Sequence, residues 1–297
     1  GSELCRQLAR FNPAELIMLD RDESALHEVQ LSIHGRALLD TPQTVLADLR
    51  DEATINHIFD TRKPEVVFHA AALKHLPLLE RYPLEAYQTN VLGTLTLLNA
   101  AQRTGVGVFV NISTDKAANP ISVLGYSKRI AERVTAAAGQ TAKSGKYMSV
   151  RFGNVLGSRG SVLMSFRDQI AKGGPLTVTH RGVTRYFMTI SEAVQLVIQA
   201  GAIGRSGEAL VLDMGTPVSI YDVAKQLVAN SGKPVEIEIV GLRAGEKVHE
   251  ELFGDGEVDT RPRHPLISHV PVLPVDLGLL TPSPTDARET MLRIIAN

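Results

Sequence analysis

At 297 residues, 44% of them hydrophobic, the chain can bury a substantial core, which excludes a disordered or fibrous class. Thirty-one basic residues nearly balance thirty-two acidic ones for a net charge of -1, so bulk electrostatics offers nothing to nucleic acid or a membrane surface, and recognition has to be local. The single cysteine, Cys5, cannot form an internal disulfide, and no paired Cys/His spacing matches a zinc site, which fits a reducing, cytoplasmic setting without a bound metal.

No run approaches the roughly 18 to 20 apolar residues that span a bilayer, and no basic-then-apolar leader opens the chain. A helix pattern begins at once at Gly1-Ser2-Glu3-Leu4, with no strand before it. Short apolar runs predict strands at 16–19, 44–47, 66–69, 108–112 and 147–150, alternating with amphipathic segments, the signature of a parallel sheet covered on both faces. Leu84, Tyr87, Val91, Leu95 and Leu98 recur at spacings of three and four and predict one buried stripe on a helix of about five turns. After Arg151 the pieces shorten: helices at 162–172, 192–203 and 221–230, strands at 209–212 and 235–240. Between 260 and 284 prolines are frequent and helix periodicity is lost, so this stretch is expected to wrap the surface before a last helix at 286–295. The fold class is α/β, a Rossmann-like doubly wound parallel sheet over residues 1–155. A smaller substrate-binding lobe and C-terminal wrap occupy most of 156–297, some later segments returning to the first domain.

In such a sheet a dinucleotide lies across the carboxyl ends of the strands, and an acidic residue closing the second strand binds the adenosine ribose. Asp20 stands there, and its charge opposes the extra phosphate of NADP, so NAD is favoured; Arg21 beside it could pair with that phosphate and argues the other way. The plainer alternative is an Asp that caps the next helix. Asp48 and Leu49 come after the next strand, where they could bond and flank the adenine. Ala70, Ala71 and Ala72 leave room for close backbone approach, although an alanine run also serves simple packing. The helix start at Gly1 would present backbone N–H groups to the pyrophosphate.

The densest chemistry is Ser113-Thr114-Asp115-Lys116, leaving the end of a strongly apolar strand, with Leu124-Gly125-Tyr126-Ser127-Lys128 downstream. Two hydroxyls, an acid and an amine can converge there on a bound sugar, and adjacent acid and amine can divide proton donation and removal. The alternative is a solvated surface ion pair.

These residues resemble the extended short-chain dehydrogenases and, more narrowly, the CapD-like nucleotide-sugar 4,6-dehydratases of bacterial polysaccharide biosynthesis. The likeness spans nearly the whole chain through His69-Ala70-Ala71-Ala72-Leu73-Lys74-His75, Asn90-Val91-Leu92-Gly93-Thr94, the stretch Arg151 to Ser161, Thr184 to Thr189, and Gly241 to Lys247. It implies that Gly1-Ser2-Glu3-Leu4 is the tail of a glycine-rich loop, with the first strand and most of that loop upstream; a Gly-Ser cloning scar is the other origin of those two residues. It further implies an anchored parent protein, with this domain on the cytoplasmic face of the inner membrane.

One position departs from the superfamily motif Tyr-x-x-x-Lys: Leu124 occupies the tyrosine place. Tyr126 lies two positions on, on the opposite side of a helix, and is expected to be structural or a substrate wall. The resemblance is therefore to the large membrane-anchored branch, which works without that tyrosine. The implied mechanism is oxidation at sugar C4 by NAD, removal of the C5 proton by Lys116, loss of the C6 hydroxyl protonated by Asp115, and hydride return to C6. Thr114, or a water beside Leu124, handles the C4 hydroxyl proton. Lys128 orients the nicotinamide ribose, and Ser113, Asn90 and Lys74 join the cofactor set. Asn154, Arg159, Arg185 and Arg243 are expected on the diphosphate of a UDP-sugar; Glu246 and His249, near the closing lobe, contact the uridine or sugar or else brace the loop, and His75 faces either the cofactor or, as a substrate contact, the sugar. Rival readings are a C5-inverting dehydratase, a 4-epimerase, and a non-catalytic NAD or nucleotide-sugar sensor. The expected partner is the UDP-sugar, commonly UDP-N-acetylglucosamine, with no nucleic acid, no membrane contact by this stretch, and a homo-oligomer allowed.

Overall fold

The computed structural model describes residues 1–157 and 161–297. Its centre is a five-stranded sheet in the order Ile267–Pro271, Glu208–Leu212, Lys146–Arg151, Val108–Ile112, Val66–His69. The last four run parallel and the first is antiparallel to its neighbour. Successive side chains of one strand enter opposite cores, the period-two rule at work. Phe109 and Tyr147 join the core under helices Gly93–Thr104 and Val123–Thr141, whereas Val110, Met148 and Leu210 join the one under helices Ser2–Ala9 and Ile190–Ile203. A parallel sheet with both faces covered is the expected Rossmann-like class.

Met18–Asp20 and Thr44–Leu46 pair in parallel as a separate two-stranded sheet. Later residues form a third core: helices Val162–Ala171 and Ile220–Ser231 pack Phe166, Ile170 and Ala224 against the parallel strands Leu176–Val178 and Ile237–Ile239. No described helix is long and apolar enough to cross a membrane.

Two segments differ from the sequence reading. The predicted five-turn helix contains a wide turn, Tyr87–Leu92, between Pro83–Ala86 and Gly93–Thr104. Tyr87, Val91 and Leu98 are fully buried, but Leu84 is exposed, because the wide turn rotates the stripe off its spacing of three and four. The stretch 260–284 is no mere surface wrap: Ile267–Pro271 closes one edge of the central sheet, with Ile267 and Val270 buried against Glu208–Leu212. Its closing proline sits where the sheet ends, a position that needs no further ladder bond.

Candidate active site

The parallel strands end on one side of the sheet, and the turns leaving those ends build the site. Ser113 directly succeeds Val108–Ile112, and its hydroxyl donates to Glu132 Oε1 at 2.6 Å. The chain then makes one 3-10 turn, Asp115–Ala117, capped by Thr114. Thr114 Oγ1 and Lys116 Nζ both donate to Asp115 Oδ1, at 2.8 and 2.9 Å. Asp115 is fully buried, and its Oδ2 has no hydrogen-bond partner among the described residues. Gly153 leaves room beside that oxygen, since a Cβ there would stand 3.0 Å from it. The pair is therefore no solvated surface couple: it carries a buried acceptor free for a donor from outside the chain.

Lys116 Nζ also lies 3.5 Å from Glu250 Oε1. Burial favours the neutral amine, but Asp115 and Glu250 outweigh it and hold the ammonium above the usual lysine range. Lys128, on the helix capped by Ser122, is buried and donates from Nζ to the Ile112 carbonyl at 2.6 Å. Burial, opposed by Glu132, pulls its pKa down to about 8. Leu124, one turn earlier, and Tyr126 both pack in the main core, so Tyr126 takes the structural role.

The cofactor-side residues fall into two groups. Asp20 closes its strand with an exposed carboxylate whose Oδ1 accepts from Asp22 N at 3.0 Å. Arg21 turns to Asp48, 3.7 Å away, and Asp48 Oδ1 accepts from Arg50 N. Gly1 caps the first helix, and with Leu4, Ala70, Ile112, Phe152 and Val155 it lines a cavity of about 190 Å³. Ala71, Lys74 and His75 are exposed and Ala72 half-buried on the loop after His69. Two residues depart from the expectation. Leu49 is core: it is buried, and a Cβ on Gly93 would fall 1.7 Å from its Cδ1. Asn90 is buried and spends its amide inside the protein, bonding the Leu73 N–H and carbonyl at 2.8 and 2.9 Å and Ser127 Oγ at 3.0 Å. It thereby shapes the alanine loop instead of reaching beyond it.

On the other side, strand Asn154–Leu156 pairs with Phe187–Thr189, bringing Asn154 opposite Phe187. Arg185 is buried and donates to Glu246 Oε1 at 3.2 Å, and Arg243 brackets the same carboxylate at 3.2 and 3.3 Å. Against the cost of burial, these arginines hold Glu246 below the usual carboxylate range. Glu246 thus gathers two arginines at one carboxylate. His249 Nδ1 pairs with Thr184 Oγ1 at 2.9 Å, a bracing role. Arg159 lies outside the described residues.

Sequence reasoning missed the support beneath the site. Arg151 is fully buried and donates to Glu132 and Glu257 at 2.7 and 2.6 Å, fixing the carboxylate that holds Ser113. Residues 245–257 brace the turn Asp115–Ala117: Lys247 Nζ donates to the Ala118 carbonyl at 3.1 Å, and Asn119 exchanges bonds with Asp255 at 3.0 and 2.8 Å. The charged run after Gly245 was the available signal, but its target lay far off in sequence.

The family model described as "Polysaccharide biosynthesis protein" matches residues 1–271. The chain belongs to that family. Within it, the chain is 46% identical over 271 residues to the probable polysaccharide biosynthesis protein EpsC of Bacillus subtilis, covering 90% of this chain and 45% of that one. It is 47% identical over 264 residues to the capsular polysaccharide biosynthesis protein CapD of Staphylococcus aureus, covering 87% and 44%. The chain thus spans about half the length of these curated relatives. It is also 36% identical over 261 residues to a UDP-glucose 4-epimerase of Rickettsia akari, covering 84% and 74%. The solved structure of DesIV, a dTDP-glucose 4,6-dehydratase from Streptomyces venezuelae with NAD bound, shares the fold: TM-score 0.73 at 23% identity, covering 86% and 85%.

Proposed function

We propose that this chain is the catalytic domain of an NAD-dependent nucleotide-sugar 4,6-dehydratase that converts UDP-N-acetylglucosamine to a UDP-4-keto-6-deoxy sugar. The observation that carries the reading is the Asp115–Lys116 pair, its carboxylate buried and its Oδ2 without a partner among the described residues, beside a helix that offers Leu124 where a tyrosine base would stand. An epimerase needs one base for the C4 hydroxyl; an elimination needs an acid and a base together, and that is the equipment present.

The residues at the strand ends fit a nicotinamide dinucleotide. Asp20 offers an exposed carboxylate to a ribose, and Arg21 is drawn to Asp48, which favours a free 2′-hydroxyl and hence NAD. Gly1, the small residues Ala70 to Ala72, Ser113 and Lys128 lie on the same side, while Arg185, Arg243 and Asn154 face the diphosphate. NAD supplies oxidation at C4 and reduction at C6, ending as it began. The chain supplies the protons. At rest the two form the ion pair, and before elimination the Lys116 ammonium passes its proton to Asp115 Oδ1 across 2.9 Å. Lys116 Nζ takes the C5 proton and Asp115 gives its own to the departing O6. The C5–H and C6–O bonds break, a C5–C6 double bond forms and water leaves, so the ion pair is the state that elimination produces. Thr114, half-buried and bonded to the same Asp115 oxygen, is placed to pass the C4 hydroxyl proton to solvent, and a solvent proton reaches C5 when hydride returns to C6.

The test uses the full-length protein with UDP-N-acetylglucosamine and NAD, monitored by mass spectrometry. A product lighter by one water is expected, with turnover in Lys116→Ala lowered about a thousandfold or more while UDP binding by calorimetry is kept. An active Lys116→Ala enzyme, or a product of unchanged mass, contradicts the reading.

A further inference from the structure

Glu250 stands outside the motif residues, yet it reaches the centre of the site. It is buried, its Oε1 lies 3.5 Å from Lys116 Nζ and 3.9 Å from Arg185 Nε, and its Oε2 is buried with no partner among the described residues. It arrives on the segment that braces the catalytic turn, held by the Thr184 N–H to Val248 carbonyl bond at 3.0 Å and by Lys247 on the Ala118 carbonyl. The groups facing Lys116 are then Asp115 and Thr114 from its own turn, Glu250 from this segment, and Arg185 from the strand Thr184–Arg185.

We infer that Glu250 is the positioning residue for Lys116, the second carboxylate that holds Nζ toward the sugar when Asp115 is protonated. The inference rests on the dehydratase reading for its purpose. In that reading Asp115 takes up the acid proton before elimination, and its Oδ1 is then no longer a carboxylate acceptor for Nζ. Glu250 neither gives nor takes the substrate's protons, and its Oε1, 3.5 Å from Nζ, stays beside the amine as an acceptor. It therefore offers Nζ one constant partner, and it stabilises the ammonium as the C5 proton arrives. Without it, Nζ has only a partner whose charge comes and goes, and the amine is free to swing away from C5.

The test is a direct titration of Lys116 in the NAD-bound, full-length protein. Acetylation by acetic anhydride is measured against pH, with peptide mass spectrometry reporting the extent at that lysine. Glu250→Gln is expected to move the midpoint to lower pH by about one pH unit and to lower kcat by about tenfold. Glu250→Asp, which keeps the charge one methylene further away, is expected to move the midpoint less and to recover part of the rate. Glu251→Gln, altering a neighbour paired to Lys247 at 2.8 Å, leaves the Lys116 midpoint in place. A midpoint unchanged in both Glu250 variants overturns the inference, even if the wild type dehydrates its sugar. A shifted midpoint in a protein that never forms the dehydrated product upholds the pairing and overturns the dehydratase reading instead.

Discussion

At the scale of the residue, His69 shows how burial beside a cation sets a protonation state. Its Nε2 lies 2.8 Å from Thr94 Oγ1, whose own proton goes to the Asn90 carbonyl, so Nε2 is the nitrogen that carries hydrogen. Burial, helped by nearby Lys128, lowers its pKa from 6.5 to about 3. The unfolded chain binds a proton over that interval and the folded chain does not. The stability His69 contributes is therefore fully present above about pH 6.5 and is lost toward pH 3, at up to about 1.4 kcal/mol per pH unit. Urea unfolding at stepped pH should show this acid slope in the wild type and a shallower one in His69→Gln; equal slopes contradict the assignment. Asp115 and Lys116 were legible in the sequence because acid and amine are adjacent at a strand end. Glu250 was not, because nothing local says that its segment folds back onto their turn. For Leu49 and Asn90, position after a strand predicts proximity to a ligand, while contact with Gly93 and bonds to Leu73 direct the side chains inward.

At the scale of the element, the catalytic turn and the helix Val123–Thr141 are fitted by one glycine. A Cβ on Gly125 would stand 2.5 Å from the Lys116 carbonyl and 2.9 Å from Pro120 Cβ. The first distance is to backbone, so the turn itself has to move. Gly125→Ala is expected to cost about 1 to 3 kcal/mol by overpacking and to lower kcat more than tenfold, because Nζ moves with its backbone. Thermal unfolding and single-turnover rates check the two effects; a variant with wild-type kcat contradicts the fitted-turn argument. The elements most legible in sequence were the strands at 66–69 and 108–112, each opening on three consecutive apolar residues, and their bounds match the structure. The edge strand Ile267–Pro271 was hidden by its prolines, and by burial that appears only once it lies on Glu208–Leu212. Alternation and propensity are local signals, whereas edge pairing is a long-range one.

At the scale of the whole molecule, the C-terminal end of the chain locks onto the helix that carries Lys128. The last helix, Ala287–Ala296, packs on Val123–Thr141, and Arg133 donates to the Ile294 carbonyl at 2.8 Å and to the Leu273 carbonyl at 3.3 Å. The site itself draws on three separated stretches: the strand ends of the first half, the arginines near 185 and 243, and the brace at 245–257. That arrangement brings the Asp115–Lys116 pair and the arginines Arg185 and Arg243 to one place, as the proposed reaction on a sugar diphosphate requires. The central claim is that hydrogen leaves C4 and returns to C6 of the same sugar. The most direct measurement is the fate of deuterium in UDP-N-acetylglucosamine labelled at C4, turned over by the full-length protein and read by NMR. Deuterium is expected at C6 of a 4-keto-6-deoxy product, with a solvent proton at C5; deuterium retained at C4 of an epimer, with no loss of water, would contradict a dehydratase.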